Sequence, residues 1–117
     1  MNISKVKQVV IIEEIIRKFY ELQREIIIER SIADYDFNKD VNTIRDMFVK
    51  ASNLYIDRDT QSKVLQLNSE INDYKTIIEK LEGLEFKNKP FCQDIYDHLL
   101  NQLKLELEYR EKELSEL

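Results

Sequence analysis

The chain has 117 residues, 43% of them hydrophobic and 35% charged, with a formal net charge of -5. That length points to one domain, and so much apolar material supplies a core and excludes global disorder. One glycine, Gly83, and one proline, Pro90, are too few turn residues for a sheet protein. The expected fold is therefore all-α, an antiparallel helical bundle of four helices.

The 18 Lys and Arg residues are scattered rather than blocked, so no electrostatic footprint for nucleic acid is visible. A single cysteine, Cys92, excludes an internal disulfide and fits a reducing compartment. Near-absence of Ala beside abundant Ile, Lys, Glu and Asn suggests an AT-rich genome, such as a low-GC bacterium or its phages and mobile elements. The start, Met-Asn-Ile-Ser-Lys-Val-Lys, leads into an apolar run cut by Glu13 and Glu14, without a small-residue cleavage site. It reads as neither a signal peptide nor a membrane span. The expected location is the cytoplasm, unless a dedicated system exports the folded protein.

Helix 1 is expected from about Ser4, a plausible N-cap, to about Arg30. Stepping 100° per residue, Ile11, Ile12, Ile15, Ile16, Phe19, Leu22 and Ile26 fall on one side with Val9, Tyr20 and Ile27. That arc covers about half the circumference, enough for two neighbouring helices. Helices 3 and 4 carry apolar stripes of suitable length for that role. Glu13 with Arg17 and Glu14 with Lys18 are favourable i,i+4 pairs on the opposite side. Val10 and Ile28 interrupt that charged side on one azimuth. They are either scattered surface hydrophobes or a contact for a partner.

Residues 31–40 lose the helical period. In extended backbone, Asp34, Asp36, Asn38 and Asp40 would lie on one side and Tyr35 and Phe37 on the other. Helix 2 is expected over 40–57 with Asp40 as N-cap and Val41, Ile44, Phe48, Ala51 and Tyr55 as its stripe. A new stripe then starts out of phase: Val64, Leu67, Ile71, Tyr74, Ile78 and Leu81. The break at 57–62 reads as a turn with Asp59 or Thr60 capping helix 3 over 60–82. A long bent helix over 41–82, giving three helices in all, is the alternative. Gly83 ends helix 3 in a C-terminal stop position, with Leu84 placed for the accompanying apolar contact.

Pro90 suits the first turn of helix 4, which is expected over 90–116. Its seam is Tyr96, Leu100, Leu103, Leu107, Leu114 and Leu117, with Ile95 and Leu99 beside it. Arg110 holds the one missing seam position. It either pairs with a carboxylate or reaches solvent from a helix end that projects beyond the core. The charge-rich tail with its narrow leucine stripe is a coiled-coil candidate and could form a homodimer through this helix.

Asp34-Tyr-Asp36-Phe-Asn38-Lys-Asp40 resembles the start of an EF-hand calcium loop. That loop needs Gly at position 6 and Glu at position 12, where this chain has Lys39 and Arg45. No metal is assigned. His98, the only histidine, has Asp94 one turn before it. One His and one Cys are too few for a zinc or di-iron site. Cys92 reads as a small buried hydrophobe. With one glycine there is no phosphate loop, and no nucleophile set can be assembled, so neither a cofactor nor an enzymatic reaction is expected. A recognition helix for DNA would have to be basic, yet helix 2 balances Arg45, Lys50 and Arg58 against Asp46, Asp57 and Asp59. Tyr109-Arg-Glu-Lys-Glu113 resembles the Tyr-x-x-x-Asp/Glu pattern late in small helical-hairpin proteins exported by type VII secretion. The Trp-x-Gly turn of that family is missing, because the chain has no Trp.

By elimination, the expected function is protein–protein interaction, as a small regulator, inhibitor or adaptor. A DNA-associated regulator and an accessory protein of a secretion system are the alternatives. The candidate partner-binding residues are Val10, Ile28, Tyr35, Phe37, Leu105, Arg110, Leu114 and Leu117.

Overall fold

The computed structural model describes the backbone of residues 2–29, 35–57, 63–84 and 90–117, and the side chains of 7–26, 38–52, 63–84 and 93–117. Four α-helices occupy this backbone: α1 Asn2–Glu29, α2 Tyr35–Asp57, α3 Lys63–Glu82 and α4 Pro90–Ser115. No strand occurs among the described residues. The result is an all-α helical bundle, 47 × 22 × 19 Å, whose long dimension is close to the length of α1.

The helices close a ring: α1 packs on α2 and α4, and α3 packs on α2 and α4. Five residues separate α1 from α2 and α2 from α3. Such a link reaches about 17 Å, far less than a helix length, so consecutive helices run antiparallel. Cross-helix contacts agree. Near one end of the bundle Tyr96 donates to the Leu81 carbonyl at 3.0 Å, and at the other Lys63 pairs with Glu113 at 3.1 Å.

The wide apolar arc of α1 does serve two neighbours, but they are α2 and α4. Helix α3 lies diagonally across, because chain order around the ring places it there. Ile12, Ile15, Phe19, Leu22 and Ile26 are buried at +3/+4 spacing, and half-buried Ile11 and Ile16 widen the arc. Tyr20 stands at the arc's edge and is 53% exposed. Phe19, Phe48 of α2 and Tyr74 of α3 then form an aromatic chain across the core. Its ring centroids are 6.0 Å and 5.9 Å apart, the second pair edge-on.

Several expected boundaries move. Helix α1 starts at Asn2, so Ser4 lies within its first turn. Helix α2 starts at Tyr35, five residues before Asp40. Residues 35–40 are helical, so the extended alternation of acids and aromatics does not form there. Thr43 donates to the Lys39 carbonyl at 3.1 Å, a bond that needs continuous helix back to residue 39. Helices α2 and α3 pack against each other, which excludes one long helix over 41–82. The break at 58–62, including Asp59 and Thr60, lies outside the described residues. Val64, expected in the α3 stripe, is 43% exposed in its first turn.

Helix α3 ends as the single glycine suggests, though by another route. The Gly83 amide still bonds the Glu79 carbonyl at 3.0 Å, and Leu84 bonds Leu81 at 3.1 Å in a tighter turn. The φ of Gly83 is not left-handed. Leu84 packs on the core.

Candidate functional site

Helix α4 presents one face inward and another to solvent, and the two carry different chemistry. Its inward residues are Tyr96, Leu99, Leu103, Glu106 and Arg110, all buried and spaced +3/+4. This differs from the leucine seam expected from sequence. Leu99 is central, whereas Leu100, Leu107 and Leu114 are half-buried. The helix is rotated toward Glu106 and Arg110 because these two charges find their partners in the interior.

Arg110 is the hub. Its Nε donates to Glu70 Oε1 of α3 at 2.7 Å. Its Nη1 donates to Glu106 Oε1 and to the Glu106 carbonyl, each at 3.1 Å. The guanidinium carbon sits 4.4 Å from the Tyr74 ring centroid, a cation–π contact. The three charged side chains are no more than 7% exposed. Burial raises the Tyr74 phenol pKa well above its ordinary range; Arg110 opposes that shift, while Glu106 and Glu70 add to it. Of the two arrangements open to Arg110, the fold takes the carboxylate pair, and its burial leaves little surface for a partner. Glu70 and Glu106 escaped the sequence reading. The available signal was the i,i+4 spacing of Glu106 and Arg110 across the seam.

A second polar cluster joins α1 to α2. Arg45 Nη1 donates to Gln23 Oε1 at 2.7 Å, and Gln23 Nε2 donates to Asn42 Oδ1 at 3.3 Å. Arg45 also pairs with Asp46 at 3.1 Å and lies 4.5 Å from the Tyr20 ring centroid. Arg45, which would stand at the twelfth position of a calcium loop, is thus engaged between two helices. The backbone of residues 35–40 is helical, whereas a calcium loop is an irregular turn between two helices. Asp34 and the side chain of Asp36 lie outside the described residues. No group of three or more His, Cys, Asp or Glu able to hold a metal occurs among the described residues.

The outward face of α4 carries the more open feature. Where α4 meets α1, a groove of about 530 Å³ is lined by Lys18, His98, Asn101, Gln102, Lys104, Leu105 and Glu108. Leu105 is 43% exposed there. Lys104 is turned to Glu82 of α3 at 3.0 Å. His98 is exposed, on the same helix as Asp94. Among the described residues, Leu105 is the groove's one apolar side chain and six polar or charged side chains line the rest.

The remaining candidates fall into three groups. Val10 and Leu117 are exposed, at 48% and 67%, and Leu114 is half-buried. The side chains of Ile28, Tyr35, Phe37 and Cys92 lie outside the described residues. Tyr109 is 58% exposed and Glu113 holds Lys63, so the two ends of the Tyr-x-x-x-Glu pattern face outward on α4.

The fold places the protein in the class of antiparallel four-helix bundles. No protein-family model, curated protein or solved structure matches the chain. No helix among the described residues is long and apolar enough to cross a membrane.

Proposed function

We propose that the chain is a non-enzymatic protein–protein interaction module, a small regulator, inhibitor or adaptor acting in the cytoplasm of a low-GC bacterium or on behalf of one of its mobile elements. The observation that carries this reading is the α1/α4 groove. Leu105 remains 43% exposed on the side of α4 opposite Leu99 and Leu103, which have no exposure. A large apolar side chain ringed by Lys18, His98, Gln102 and Glu108 has the make-up of an interface: an apolar anchor within a polar rim. A helix laid along the groove would cover it. Val10 and Leu117 supply further exposed apolar area.

The test is affinity capture from the native host with the wild-type chain and Leu105→Asp. Leu105 is outside the core, so the variant keeps its thermal melting temperature. One protein retained by the wild type and lost by the variant supports the proposal. Identical captured sets, or none above background, argue against it.

A further inference from the structure

Helix α4 offers two overlapping seams. The one used in the bundle is Tyr96, Leu99, Leu103, Glu106 and Arg110. The other is the stripe Tyr96, Leu100, Leu103, Leu107, Leu114 and Leu117, with Arg110 at its remaining position. Its +4/+3 spacing is that of a coiled coil. Apart from fully buried Leu103, its leucines are only partly used by the bundle: Leu100, Leu107 and Leu114 are half-buried, and Leu117 is 67% exposed. A helix with such a stripe can pair with a second copy of itself.

Arg110 is the one charged residue common to both seams, and pairing with a second copy would leave it Glu106 of its own helix but take away Glu70. In a parallel pair of α4 helices, Arg110 faces Arg110. In an antiparallel pair, the stripe opposite offers tyrosine, leucine or Arg110, and no carboxylate. Within the bundle, α3 supplies Glu70 at 2.7 Å and the Tyr74 ring at 4.4 Å. A buried charge is tolerated only where a partner meets it, and a single polar seam residue is a known way to specify which helix pairs with which. We infer that Arg110, through Glu70, makes α4 choose α3 of its own chain over α4 of a second copy. The ion pair determines the association state of the protein. This inference is independent of what binds the α1/α4 groove.

The test compares the full wild-type chain with the triple variant Glu70→Leu, Glu106→Leu, Arg110→Leu. The variant removes all three charges at similar volume, so none is left buried alone. By light scattering, the wild type holds its 14.1 kDa monomer mass as concentration rises. The triple variant keeps its helical circular dichroism and doubles in mass. Adding Leu114→Asp to it returns the monomer. The inference is overturned by a triple variant that stays monomeric, or by doubling that survives Leu114→Asp. It is overturned equally by a wild type that already dimerises. An unfolded triple variant overturns it too, because the cluster would then supply net stability rather than partner choice.

Discussion

Arg110 and Glu70 are 40 residues apart in the chain and meet at 2.7 Å inside the bundle. Neither would be buried without the other, and Glu106 completes the arrangement from the same helix. Removing one member therefore differs from removing all three. In Glu70→Leu, Arg110 loses its ion pair with α3 while keeping Glu106 and the Tyr74 ring. The expected loss is about 3–5 kcal/mol, the usual cost of breaking a buried pair from one side. A urea titration reads this as a lower midpoint at unchanged slope. A loss under about 1 kcal/mol, the range of exposed pairs, would mean that water reaches the guanidinium.

Phe48 touches rings on both sides, Phe19 on α1 and Tyr74 on α3. It has no exposure, so truncation leaves a cavity between three helices. Phe48→Ala is expected to cost about 3–5 kcal/mol, and Phe48→Leu clearly less, because it keeps more of the volume. Thermal unfolding of the two variants checks the order. Equal losses would show that ring geometry, rather than volume, dominates.

What the chain announced about itself follows from which forces are local. Helix count, the Pro90 start and the 83–84 stop depend on neighbours in sequence, and they were readable. The buried period of α1 was readable too, but not which helices would cover it. That depends on ring order, which no periodicity encodes. Asp, Tyr, Asp, Phe and Asn show no 3.6 period, so the sequence points to a start of α2 at Asp40, while the backbone continues in helix back to Tyr35. The rotation of α4 is hidden for a related reason. Leucine spacing marks Leu100 and Leu107, yet Leu99 and Glu106 face the centre, where Arg110 meets Glu70 from far away in sequence. Of the candidate site, Leu105 and Val10 were readable as apolar residues on polar faces. The groove beside Leu105 was not, since it also needs Lys18 from α1.

The buried phenol of Tyr74 predicts an alkaline limit to stability. Its folded pKa is raised, first by burial, above the value of 10.0 expected for an ordinary tyrosine. Below about pH 10 the phenol is neutral in both states, and its contribution to stability is fully present. Above that, the unfolded chain releases the proton while the folded one keeps it, so stability falls as pH rises. The slope is about 1.4 kcal/mol per pH unit for such a group. Tyr96 is shifted the same way, by burial and then by Glu82 and Asp97. Urea midpoints across this pH range should fall more steeply for the wild type than for Tyr74→Phe. Parallel curves would show that Tyr74 ionises as freely in the fold as in the unfolded chain.

Gly83 gives the last prediction, against the usual expectation for a glycine that ends a helix. Such a glycine often adopts a left-handed backbone, where a side chain is strained. Here the backbone is not left-handed, and among the described residues an added Cβ would meet the Glu79 and Lys80 carbonyl oxygens, both at 3.4 Å. The native conformation thus accepts alanine, and the substitution mainly narrows the unfolded ensemble. Gly83→Ala is expected to stabilise the protein by about 0.4–1 kcal/mol. Thermal unfolding should therefore show a higher midpoint than the wild type. A loss of stability instead would place the residue in the left-handed region in solution.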